Sequence, residues 1–191
     1  MSEKDAVRHQ NVVVTMQVSV CLPHSVRNRI MNKLVIFYSY RGYTKLIAEA
    51  VAQAIGADTL ELRTEKITKM QDFLKNVGGK WKVIKGLKPD LQSLIRNPQN
   101  YDMIFIGTPV WAGSYASPFN TFFSTVKLDG KKIALFSCSG GSKGNTLEDM
   151  KMALAGNDFL GEIEFVESTK HEQEIDLARA KDWAKEIISF I

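Results

Sequence analysis

Cysteine is scarce. The 191-residue chain has two, Cys21 and Cys138, far apart and with no CxxC or His-rich neighbour. That pattern excludes a disulfide scaffold and a zinc site, and it leads us to expect a reducing compartment, the cytoplasm. No stretch approaches the ~18 consecutive apolar residues that a membrane-crossing helix needs. Neither GxxxxGK[ST] nor GxGxxG occurs, and Gly140-Gly141-Ser142-Lys143-Gly144 has the wrong spacing for either. Nucleoside triphosphate hydrolysis and a nicotinamide fingerprint lose ground accordingly. Internal repeats and low-complexity tracts are absent.

What is present suits one globular domain: 45% hydrophobic and 24% charged residues, in a chain little longer than a usual domain. The net charge of +4 is uneven, because residues 66–96 hold eight Lys or Arg against Asp72 and Asp90, leaving −2 elsewhere. Basicity belongs to that segment. Trp81 stands between Lys80 and Lys82 without the aromatic interleaving of a nucleic-acid surface, so no nucleic-acid partner is expected. Residues 12–22 are apolar but broken by Thr15, Gln17 and Ser19, without a clean secretory core or a small-residue cleavage site. We expect residues 1–30 to be a poorly ordered extension, and a compact domain over 31–191.

From Met31 onward, apolar runs alternate with helical patterns. Residues 34–38, 103–106 and 133–136 are continuous apolar runs, as in strands buried on both faces of a parallel sheet. Residues 59–63 alternate like an edge strand, and 162–166 form a weaker fifth run. Helices are expected over 45–55 with Gly56 as C-cap, and from Ile67 to a stop at Gly78-Gly79. Others should follow the Ser117-Pro118 start, the box of Asn145 with Glu148, and Glu174 to the end of the chain. Such alternation gives a doubly wound α/β sheet, because parallel strands require crossover connections.

Ligands of open α/β sheets bind beyond the carboxyl ends of the strands. Three turns are expected there. The first, Ser39, Tyr40, Arg41, Gly42, Tyr43 and Thr44, runs into a helix whose free N–H groups and dipole favour an anion. It reads equally as an ordinary strand–helix turn with a hydroxyl cap. The second, running from Gly107 through Thr108, Pro109, Val110, Trp111, Ala112 and Gly113 to Tyr115, offers an indole as a loop anchor or as a wall for a planar ring. The third, Ser137, Cys138, Ser139, Gly140, Gly141 and Ser142, is small enough for backbone amides to approach a ligand edge. Cys138 reads as a packed small residue rather than a redox thiol. His171 reads as a solvated loop residue, and Glu148-Asp149 as helix N-terminal charges.

Phe37-Tyr-Ser-Tyr-Arg-Gly-Tyr-Thr-Lys45, Ile106-Gly-Thr-Pro-Val-Trp-Ala-Gly113 and Phe136-Ser-Cys-Ser-Gly-Gly-Ser142 resemble, in order and spacing, the three FMN loops of the flavodoxin family. The likeness is closest to the branch with GTPVW and SGGS turns, and covers residues 31–191. It implies a five-stranded parallel sheet in the order 2-1-3-4-5, with helices on both faces and FMN as cofactor. It places the phosphate at Ser39–Thr44, with Arg41 standing where the family has a hydroxyl residue and Tyr43 where it often has Asn. The ring would lie against Thr108–Gly113 and the pyrimidine edge against Ser137–Ser142. Ala112-Gly113 matches the pair whose backbone carbonyl receives the N5 hydrogen of the reduced flavin. The third turn has none of the tyrosines that cover the ring in many carriers.

Electron transfer to redox partner proteins is the function so implied, with no catalytic protein side chain and no metal. An NAD(P)H-dependent FMN or quinone oxidoreductase on the same fold is the alternative. A flavin-free interaction module using the basic segment is the second alternative.

Overall fold

The structure, a computed structural model, describes residues 31–65, 86–141, 144–166 and 170–191, with backbone alone at 170 and 171. The expectations for residues 1–30, the helix from Ile67, Trp81, the His171 side chain and Ser142 lie outside the described residues.

Five parallel strands, β1 (Lys33–Phe37), β2 (Asp58–Glu61), β3 (Met103–Trp111), β5 (Lys132–Ser139) and β6 (Asp158–Val166), form a sheet in the order β2-β1-β3-β5-β6. Counting parallel strands alone, this is the expected 2-1-3-4-5. A two-residue strand not foreseen in the sequence, β4 (Ser114–Tyr115), folds back antiparallel on the end of β3.

Among the described residues four helices cover the sheet: α1 (Tyr43–Ile55), α2 (Pro118–Thr125), α3 (Thr146–Ala153) and α4 (Lys170–Ser189). Successive strand side chains point to opposite faces, so a doubly covered strand must be apolar throughout. Val35, Phe37, Phe105, Ala134 and Phe136 pack with Ile47 and Val51 of α1 and Ala180, Ala184 and Ile187 of α4. Leu34, Ile36, Ile104, Ile106 and Leu135 pack on the other face with Phe119 and Phe122 of α2 and Leu147 and Met150 of α3. Each large side chain so buried is worth about 1.5–3 kcal/mol. Packing at the sheet centre leaves no slack: a Cβ on Gly107 would lie 2.0 Å from the Phe136 ring.

Several boundaries differ from expectation, each for a physical reason. Strands β3 and β5 continue through residues whose composition suggested loops, and pair from Met103↔Lys132 to Pro109↔Cys138. Pro109 is tolerated because β1 ends opposite Gly107, leaving β3 an open edge on that side. Strand β6 starts at Asp158 rather than Glu162, with a register shift opposite Ile133/Ala134. Strand β2 is shorter than residues 59–63 and is the sheet edge, as its alternation suggested.

Among the caps, Gly56 does what was expected: at φ 60° it ends α1 and donates its N–H to Ala52 O. Pro118 opens α2, but Ser117 is itself helical and makes no cap bond; its buried hydroxyl has no partner among the described residues. Asn145 likewise makes no side-chain cap bond at α3, so the expected box does not form. Helix α4 starts at Lys170, one turn ahead of Glu174.

Candidate functional site

The first turn joins β1 to α1 through Gly42 at φ 96°, a left-handed conformation that glycine adopts without a side-chain penalty. The Ser39 hydroxyl sits under the turn and accepts the N–H groups of Gly42 (3.1 Å) and Lys45 (3.2 Å). Both of its accepted bonds come from the backbone, so its own proton remains for an acceptor beyond the turn. Thr44 is 3% exposed, and neither its N–H nor its hydroxyl has a partner among the described residues. The first turn of α1 has no acidic side chain, and Arg41 is exposed and makes no ion pair among the described residues. Donors are gathered here and acceptors are lacking. A helix N-terminus arranged in this way attracts an anion.

The second turn is built differently. Ala112 (φ 55°) and Gly113 (φ 71°) are both left-handed and form the two-residue turn between β3 and β4, the geometry that matches strand twist in a hairpin. An alanine held this way costs about 1–2 kcal/mol. Three contacts hold it. Gly113 O accepts Asn145 N–H at 2.9 Å. Gly144, at φ 55°, lies so close that a Cβ there would meet Gly113 Cα at 2.3 Å. Ser114 donates a short hydrogen bond to the Asp149 carboxylate. Because Gly113 O is already engaged, Ala112 O is the carbonyl of the pair that accepts no hydrogen bond among the described residues. Upstream, the buried Thr108 hydroxyl donates to Pro109 O (3.0 Å) and accepts Ala116 N–H (3.0 Å). Thr108 therefore shapes the segment and does not offer its hydroxyl outward.

Trp111 brings the first two turns together. Its indole meets Tyr38 at 5.4 Å and Tyr40 at 6.0 Å between ring centroids, both edge-on. Pro109 and Val110 lie half-buried beside it. Burial, the neighbouring Tyr40 and then Glu61 push the Tyr38 phenol up to about 12, so it stays neutral in any physiological setting. Burial first, and Asp149 second, also raise Tyr115.

In the third segment Ser137 and Cys138 are buried strand residues aligned with Thr108 and Pro109. Ser139 donates to Gly141 O at 3.1 Å. Gly140 and Gly141 are exposed, and a Cβ on either would meet nothing within 4 Å. Space within the protein does not require glycine there, and the omission leaves bare backbone at the rim.

The three segments leave the carboxyl ends of β1, β3 and β5, which are neighbours in the sheet. At the end of the basic segment, Arg96 binds Asp58 (3.1 Å) and Thr59 O (3.2 Å) at the amino end of β2, away from the turns. Among the described residues no group of three or more His, Cys, Asp or Glu could hold a metal ion, and no helix is long and apolar enough to cross a membrane. Sequence reasoning missed three participants. Tyr38 adjoins the first turn and could have been flagged as an aromatic there. Gly144 was visible only as part of a glycine-rich run. Asp176, which is buried and accepts the Tyr43 hydroxyl, has no local signal at all.

A family model described as Flavodoxin matches residues 32–176. Among solved structures, a flavoprotein from Bacteroides eggerthii is 24% identical, with a TM-score of 0.67, covering 83% of this chain and 98% of that one. A flavoprotein from Bacteroides uniformis is 22% identical, with a TM-score of 0.65, over 81% and 98%. A flavoprotein from Lactobacillus acidophilus solved in complex with FMN is 26% identical, with a TM-score of 0.55, over 70% and 93%. With the family model spanning most of the chain and the sheet order and three turns in place, this protein belongs to the flavodoxin family.

Proposed function

We propose that this protein binds FMN across the three turns and works as an electron carrier between redox partner proteins. The observation that carries the reading is the set of donors at the first turn with no match among the described residues, namely the Thr44 N–H and hydroxyl and the Ser39 proton, beside an Arg41 that makes no ion pair among them. These residues fit a phosphate. Trp111 with Tyr40, and the bare backbone of Gly140 and Gly141, fit the face and edge of a planar ring. Bound FMN would supply the redox chemistry, since it can exchange electrons singly or in pairs. The chain contributes orientation: α1 directs its N-terminus at the phosphate, the clamped Ala112-Gly113 turn presents a carbonyl of fixed direction, and the apolar rings exclude water.

Mixing the protein with FMN and following the quenching of flavin fluorescence tests the reading. Saturable binding at one site per chain is expected; no quenching and no heat of association would reject it, and would favour a flavin-free interaction module.

One observation favours the second reading, an NAD(P)H-dependent FMN or quinone oxidoreductase. The segment from Ser137 to Ser142 has no aromatic side chain to cover the outer ring face, leaving room for a second planar substrate. Sustained NAD(P)H oxidation by the FMN-loaded protein with a quinone acceptor would select the enzyme; single-turnover reduction alone would select the carrier.

A further inference from the structure

We infer that Asp176 and Arg179 of α4 are positioning residues, which act through the Tyr43 phenol to hold the first turn in the shape that admits the phosphate of FMN. The inference rests on the FMN reading above. Helices α1 and α4 pack through Ile47, Ala48 and Val51 against Ala180, Ala184 and Ile187. An apolar seam of this kind sets the distance between helices but supplies no directional bond to fix the chain at its end. Tyr43 stands at that end, as the first residue of α1, immediately after the left-handed Gly42.

The Tyr43 hydroxyl donates to Asp176 Oδ2 at 2.5 Å, a bond between residues 133 apart in the chain. Asp176 is 6% exposed and is the only buried acid among the described residues. A carboxylate taken out of water is costly unless both oxygens are matched. Its second oxygen receives Arg179 Nη1 at 2.6 Å, and that guanidinium lies 5.4 Å above the Phe165 ring. The arrangement is directional from Phe165 to Tyr43, so the ring of Tyr43, and with it the backbone from Gly42 to Thr44, has one orientation. Arg179 has a second effect. It offsets a negative charge that would otherwise stand near the N-terminus of α1 and oppose an anion bound there.

The test compares FMN with riboflavin, the same ring without its phosphate, on the full-length protein freed of flavin by dialysis. Fluorescence quenching gives both dissociation constants for the wild type, Tyr43→Phe, Asp176→Leu and Asp176→Asn. Tyr43→Phe and Asp176→Leu are expected to lower the FMN-to-riboflavin preference by about tenfold while riboflavin binding is unchanged. Asp176→Asn retains an oxygen that accepts the phenol O–H, and is expected to keep or raise the preference. A general structural role would weaken both flavins together. Equal losses for the two flavins, an undiminished preference in Tyr43→Phe, or loss of the folded circular-dichroism spectrum in that variant would each overturn the inference. Wild-type protein that binds neither flavin would overturn the FMN reading first and this inference with it. Retained preference in the variants would remove the clasp alone.

Discussion

The first and second turns touch through Trp111, yet their polar groups are used in opposite ways. In the second, Thr108 donates and accepts within its own segment, Gly113 O is held by Asn145, and Ser114 is held by Asp149. In the first, Ser39 accepts twice and keeps a proton, and Thr44 has no partner for either donor among the described residues. Hydroxyl donors left in this way turn to water until an acceptor displaces it. The contrast separates a turn whose polar groups are matched within the protein from one whose donors are left open.

That contrast can be broken by substitution. The largest expected effect is at Gly144, where alanine would drive a Cβ into Gly113 and force a side chain into left-handed backbone. Strain and overpacking together should destabilise by about 3 kcal/mol, read as a lower urea midpoint, with weakened FMN binding. Thr108→Val comes next. It leaves the Ala116 N–H buried without an acceptor, so a loss of about 1–3 kcal/mol in unfolding free energy is expected. Thr44→Val should do the reverse: stability within about 0.5 kcal/mol of wild type, but FMN affinity lower by about tenfold or more, since a bond to a charged oxygen contributes about 1.5–3 kcal/mol. If Thr44→Val instead destabilises the free protein as much as Thr108→Val, the two turns are not different in kind.

Alkaline pH gives a smaller effect. Tyr38 ionises at about 12 in the folded protein against 10.0 for the free group. Above pH 10 the unfolded chain therefore loses this proton while the native state keeps it. Stability should fall as pH rises from about 10 towards 12, and should be level with respect to this group below that window. Urea unfolding at pH 9 and 11 should show the fall, and Tyr38→Phe should reduce its slope. Smallest is Ser117→Ala, which removes a buried hydroxyl that has no partner among the described residues; the expected change is neutral to about 1 kcal/mol of added stability.

Much of this architecture was legible in the residues. The runs at Leu34, Met103 and Ile133 announced doubly covered strands, and the three turns followed at their ends. Legibility failed where composition and tertiary context disagree. Gly107, Pro109 and Ser137 to Ser139 have the chemistry of loops, but β3 and β5 pair through them because each strand has the other as a neighbour. Ala112-Gly113 is not a dipeptide that signals a two-residue hairpin, since alanine resists positive φ; Asn145, Gly144 and Asp149 hold it there from another part of the chain. The Ser117 and Asn145 caps were sound local expectations that tertiary packing overrode. The tie between Tyr43 and Asp176 has no periodicity or motif, and only the folded chain reveals it.

Gly140 and Gly141 have neither a positive φ nor a crowding neighbour to explain them. Folding is therefore indifferent to what stands at these two positions, and any intolerance of a larger side chain would report on the guest rather than the host. Selectivity among flavins could be altered at that rim by substitution without disturbing the core, as a lock is rekeyed without rehanging the door.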